Sequence, residues 1–103
     1  MNLKLIVLRC ANIEKSNEFY NALGFEFMKE QHGAGPKHYS AESNGLVLEL
    51  YPSKETVKDN LRLGFEISTI PNFFKIIDEY AFNDAKVLVV LDPDGRKIEL
   101  YKQ

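Results

Sequence analysis

A single cysteine, Cys10, stands in the whole chain. No disulfide can therefore form within it, and the expected setting is reducing, intracellular and cytoplasmic. No apolar run approaches the ~20 residues that span a bilayer. The opening stretch MNLKLIVLRC lacks the long apolar region and small-residue cleavage site of a signal peptide. Charge of one sign is also missing. The net charge is −2, so there is no basic footprint and nucleic acid is not an expected partner. The only glycine-rich stretch, GAGP at 33–36, is too short and lacks the strand-to-helix context of a phosphate loop.

What remains is ordinary globular material, 45% hydrophobic and 27% charged over 103 residues, enough for one domain with a modest core. Its patterning is more specific. LKLIVLR (Leu3 to Arg9) is apolar and β-branched and reads as a strand. Asn12 suits a helix N-cap and Gly24 a stop. Between them Ile13, Phe19, Tyr20 and Leu23 can share a helical face. FEFMKEQH and KHYSAES flank GAGP as a hairpin, GLVLELY is a further strand, and the polar YPSKETVKDN reads as a connector.

The order then restarts. LRLGFEIS (Leu61 to Ser68) reads as a strand. Pro71 suits a first helical turn, with Phe73, Phe74, Ile77, Tyr80 and Ala81 as the apolar stripe. AKVLVVL is a strand, DPDG a turn and RKIELY the last strand. GLVLELY and GRKIELY place Glu49 and Glu99 at an offset of 50, whereas matching the apolar faces of the opening strands pairs Leu5 with Arg62 at an offset of 57. The second unit is thus about one strand shorter than the first. On that accounting it is β-α-β-β, and a repeat this short suits a pseudo-twofold domain.

Two such units, the segment FYNALGF and the terminal DPDGRKIEL together resemble the vicinal oxygen chelate superfamily, which includes glyoxalase I, extradiol dioxygenases and the bleomycin- and fosfomycin-resistance proteins. The resemblance covers nearly the whole chain. It implies an α+β fold. Paired βαβββ-type modules (about 1–52 and 60–103 of a single 1–103 domain) would form a curved mixed sheet, with helices on the convex face, a small-molecule site on the concave face and the second module one strand short. Metal-using members place ligands at four points that correspond here to Leu5, Glu49, Arg62 and Glu99. Only the two glutamates can bind a metal. Leu5 has no donor atom, and Arg62 has no lone pair and stays charged. No cofactor is therefore expected, and a divalent metal is disfavoured. Arg62 is expected to stand in for the metal, relieving the mutual repulsion of the carboxylates.

The ligand-binding set expected on this basis is Glu49, Arg62, Glu99 and Tyr101, with Tyr39 and Tyr51 as further aromatics of the concave face. His32 and His38 flank GAGPK and read as an exposed loop pair. Cys10 reads as a small buried hydrophobe, and Phe73, Phe74 and Tyr80 as helix core. Val87 to Leu91, apolar on both faces, would lie at or near a sheet edge once a strand is lost, and such an edge invites pairing. A homodimer is expected there. The resulting function is a metal-free small-molecule-binding domain. The alternatives are a metal-dependent lyase, isomerase or dioxygenase of the same superfamily, and a non-catalytic dimeric structural or regulatory domain.

Overall fold

A computed structural model describes all residues, Met1 to Gln103. The chain forms two compact units, Met1–Val57 and Lys58–Gln103.

The first unit runs β1 (Leu5–Cys10), α1 (Ile13–Ala22), β2 (Met28–Glu30), β3 (His38–Ser43) and β4 (Leu46–Pro52), with sheet order β1-β4-β3-β2. The helix starts where the Asn12 side chain accepts hydrogen bonds from the amides of Glu14 and Lys15, at 3.0 and 3.1 Å. It ends before Gly24, whose φ of 116° is open to glycine and costly for other residues. Tyr20 and Ser16 are its buried residues. It covers the sheet face that carries Leu8, Cys10, Ala41, Leu48 and Leu50, all buried. Each large aliphatic side chain removed from water there contributes roughly 1.5–3 kcal/mol. β1 and β4 are parallel, with Leu8 opposite Leu50, and this register leaves Val7, Arg9, Glu49 and Tyr51 on the other face.

The second unit is β5 (Leu63–Ile67), β6 (Asp78–Phe82), β7 (Ala85–Leu91) and β8 (Lys97–Lys102), in sheet order β5-β8-β7-β6. Paired α+β modules are present as expected, but the second module differs from the expectation in one respect. It has four strands and no helix, so the seven missing residues come out of the crossover helix and not out of a strand. The stripe read as a helix from Pro71 becomes a short turn followed by β6. The Ile77 amide donates to the Val89 carbonyl at 2.9 Å, and Asp78 to Phe82 then pair antiparallel with β7. Asn83 and Asp84, with φ of 49° and 63°, make the two-residue turn back into β7. Two consecutive positive φ values characterise the hairpin turn whose twist matches its strands.

The physical reason is that β7 is apolar on both faces and its ladder needs a partner on each side. Strand pairing satisfies five residues of backbone there, whereas a helix would leave that edge bare. Two further expectations are corrected. Val87–Leu91 is near the edge of the sheet but not left unpaired at it: Val87 to Val89 pair with both β8 and β6, and Val90 and Leu91 with β8. Phe73 and Tyr80 are not helix core, Phe73 being 72% exposed.

The turn between β7 and β8, DPDG, is closed by a buried ionic clasp. Asp92 Oδ1 accepts from the amides of Asp94 and Arg96, both at 2.9 Å, and Asp92 Oδ2 accepts from Arg96 Nη1 at 3.0 Å. The other edge of the Arg96 guanidinium reaches Asp59, with Nη2 to Oδ2 at 2.7 Å and Nε to Oδ2 at 2.9 Å. Gly95, at φ 84°, allows the tight reversal. Burial disfavours the charged guanidinium, but the Asp59 and Asp92 carboxylates more than reverse this, so its pKa is raised. The same hydrogen bonds hold the Asp59 carboxyl below its ordinary value. The motif that carries much of the family resemblance is thus structural. It ties the segment entering β5 to the turn that launches β8.

Removing the arginine leaves Asp92 buried and uncompensated. Arg96→Ala is expected to cost about 3–5 kcal/mol in urea denaturation, against under about 0.5 kcal/mol for the exposed Lys86→Ala. A loss below about 1 kcal/mol would mean that the clasp does not hold the turn. The depressed Asp59 pKa sets the sign of a pH effect. Its contribution is complete above the unfolded carboxylate value of about 3.9 and is lost as pH falls through the lower folded value. Denaturation midpoints measured between about pH 6 and pH 3 should fall less steeply in Asp59→Asn than in the parent.

Candidate functional site

In the second unit β8 alternates strictly. Ile98 and Leu100 are fully buried on one face, while Lys97, Glu99 and Tyr101 occupy the other. Gly64 of β5 lies opposite Glu99, and the Tyr101 ring lies over Gly64. A Cβ on Gly64 would sit 2.9 Å from that ring, so the glycine makes room for the tyrosine. Phe82 meets Tyr101 edge-on, with centroids 6.4 Å apart and planes at 83°.

Glu99 is 13% exposed at its side chain and is not left open. Tyr80, on β6, donates a hydrogen bond to Glu99 Oε1. That bond is the main cause of a raised Tyr80 pKa, followed by desolvation, so the hydroxyl keeps its proton and remains a donor. Arg62 Nη1 lies 3.9 Å from the same oxygen and is half exposed. The structure thus brings together three of the expected residues, Arg62, Glu99 and Tyr101. It adds Tyr80, which stands on β6 opposite Val87 and not in a helix. The signal that could have found Tyr80 is the Asn83-Asp84 pair, which marks a hairpin and turns the preceding residues into a strand.

Glu49 stands in the first unit on β4, opposite Val7 of β1 and Ser40 of β3, on the face that the helix leaves uncovered. Tyr39 is not on that face. It pairs with Leu50, its hydroxyl donates to Glu14 Oε2 at 2.6 Å, and it is buried on the helix side. That hydrogen bond raises the tyrosine pKa, and the Glu14 pKa is lowered first by the Lys29 hydrogen bond and then by that of Tyr39. Cys10 is buried, as expected.

One row beyond Glu49, four cross-strand neighbours form a line. Arg9 lies over the Tyr51 ring at 5.2 Å. Tyr51 stacks on His38 at 4.1 Å with planes 9° apart, and His38 faces its strand partner Glu30. The histidine expectation is therefore half corrected. The His32 side chain is 74% exposed, but His38 is 1% exposed and built into the sheet. The hairpin reads FEFMKEQHGAGPKHYSAES, and alternation in so short a strand gave no face to His38 until its register was known.

The metal positions that the resemblance implies do not fit a metal with these residues. Leu5 presents only hydrocarbon, Arg62 is a cation, and the Glu99 oxygen nearest it already accepts from Tyr80.

No family model matches the sequence, and no curated protein does. Solved structures match closely in shape. The crystal structure of SMU.1112c is 21% identical with a TM-score of 0.75, covering 99% of this chain and 98% of that one. A glyoxalase family protein from Enterococcus faecalis is 20% identical with a TM-score of 0.70, over 98% and 97%. The oxidase ChaP-H2 is 14% identical with a TM-score of 0.73, over 100% and 94%. At such identities the likeness is one of fold alone: the chain shares the fold of these structures, and this agrees with the paired modules that the resemblance to the vicinal oxygen chelate superfamily implies.

Proposed function

We propose that the chain is a small-molecule-binding domain that uses no metal at the positions its fold family uses for one. The observation that carries this reading is the Tyr80 to Glu99 hydrogen bond. A carboxylate that accepts from a protonated phenol, with a guanidinium nearby, is already supplied with positive partners by the protein. The ligand chemistry that suits these groups is a flat ring resting on Tyr101 and Phe82. A hydroxyl or amide would donate to Glu99, and an anionic group would turn toward Arg62. Glu49 is given the same acceptor role on the matching strand of the first unit.

The second reading, a metal-dependent lyase, isomerase or dioxygenase, is favoured by one feature, the retention of both Glu49 and Glu99. It requires that metal bound by the protein be lost in Glu49→Gln and Glu99→Gln. The dimer expectation moves with the fold correction. β7 is an interior strand, and the outer edge of β6, beside Phe82, has no partner strand in its own sheet. We assign homodimer pairing to that edge.

Two outcomes check these readings. In an NMR titration with hydroxylated aromatic acids, amide shifts should centre on Gly64, Tyr80 and Tyr101. Arg62→Ala and Glu99→Gln should each weaken binding about tenfold, the equivalent of one charge-assisted hydrogen bond. Shifts elsewhere, or affinities unmoved by both variants, count against the site. In light scattering at micromolar concentration the parent should show a two-chain mass and Phe82→Lys a one-chain mass. A monomeric parent sinks the pairing.

A further inference from the structure

The β2–β3 hairpin gathers Glu30, His32 and His38 so that one ligand atom from each lies within 4.8 Å of the others. Glu30 Oε1 is 3.4 Å from His38 Nε2 and 3.8 Å from His32 Nε2. The hairpin holds them in place by its own bonds. Glu30 and His38 are cross-strand partners, the Gly35 amide donates to the His32 carbonyl at 3.0 Å, and the Gln31 side chain donates to the Gly35 carbonyl at 2.9 Å.

His38 is the informative member. Its ring is buried, stacked on Tyr51, and its Nδ1 lies 3.2 Å from the Pro36 carbonyl. A carbonyl can only accept, so Nδ1 carries a proton toward it and Nε2 is the nitrogen turned to the cluster. That Nε2 is buried without a hydrogen-bond partner. It faces a carboxylate oxygen 3.4 Å away. A buried ring nitrogen with no hydrogen-bond partner, beside a carboxylate on a part-exposed side chain, has the geometry of a donor pair for a cation. The carbonyl behind Nδ1 is the usual support for a metal-bound imidazole, since it fixes the tautomer and the ring orientation.

We infer that Glu30, His32 and His38 form a divalent transition-metal site, best suited to Zn²⁺. Two imidazoles and one carboxylate are a borderline donor set that favours Zn²⁺ and its neighbours over Ca²⁺ or Mg²⁺. Donors about a tetrahedral zinc at ~2.0–2.1 Å stand roughly 3.3–3.4 Å apart. The Glu30–His38 distance already matches, and the exposed His32 side chain is the one that swings inward. Three protein donors leave a fourth position for water. The site shares no residue with Glu49, Arg62 or Glu99 and uses none of the positions that the fold family uses.

The test uses the full chain, stripped with a chelator and titrated with Zn²⁺ alone and then with Co²⁺ alone. One equivalent should bind with a dissociation constant on the order of micromolar. Co²⁺ should give the visible absorption of four-coordinate cobalt. His32→Ala, which changes an exposed loop residue and leaves the fold intact by thermal melting, should weaken binding at least about tenfold, as should Glu30→Gln. The Glu49→Gln, Glu99→Gln double variant should bind as the parent does. No binding, binding unchanged in His32→Ala, or the octahedral spectrum of hydrated Co²⁺ overturns the site. Metal lost only in the Glu49, Glu99 double variant overturns it too, and in that case also overturns the metal-free reading of those residues.

Discussion

The repeated acids and tyrosines of this protein are placed by the full burial of four aliphatic side chains, Leu48 and Leu50 on β4 and Ile98 and Leu100 on β8. A strand has a period of two, so once these point inward, Glu49, Tyr51, Glu99 and Tyr101 must point to the other face. A slip of one residue would bury two carboxylates and expose the leucines. The penalty for an unpaired buried charge is several kcal/mol, comparable to the whole stability of a small domain. The repeated Glu-Leu-Tyr is therefore a register device first. Whatever chemistry the uncovered faces perform is inherited from that constraint.

Given the same placement, the acids meet different surroundings. Glu99 accepts from a phenol whose proton it helps retain. Asp92, fully buried, is satisfied by two amides and an arginine. Glu30 faces a buried imidazole nitrogen that has no hydrogen-bond partner. Electrostatic partnering separates these three roles better than exposure does. The first is a binding group held ready, the second is a structural strut, and the third is an acceptor waiting for a cation. The family-like DPDGRK motif falls in the second class, so its presence speaks for the fold and not for an activity.

Most of the fold was legible because its signals are local. Asn12 and Gly24 bound the helix as written, and alternation located β1, β4, β5, β7 and β8 within a residue or two. The failures have physical causes. Phe73, Phe74, Ile77, Tyr80 and Ala81 fit a helical stripe, yet Asp78, Tyr80 and Phe82 also alternate. What decided between them was the unsatisfied edge of β7, a non-local demand that no window of sequence displays. Tyr39 was misplaced for a related reason. His38 to Ser43 has no clear apolar alternation, and its faces follow only from pairing with Leu48 and Leu50. Of the ligand set, the grouping of Arg62, Glu99 and Tyr101 was readable from the repeat. Tyr80 was hidden by the helix error.

The two units diverge where the duplication ended. The first keeps a helix to cover its apolar face. It has a hairpin loop of seven residues, 31–37, long enough to carry His32 back over the sheet toward Glu30 and His38. The second closes the corresponding hairpin with Asn83 and Asp84 alone. That turn adds no residue beyond its two corner positions, and the hairpin presents Tyr80 and Phe82 from the strand itself, one as a donor to Glu99 and the other edge-on to Tyr101. Loop length thus explains why a three-donor cluster forms in one module and a phenol-capped carboxylate in the other, although both began from the same strand order.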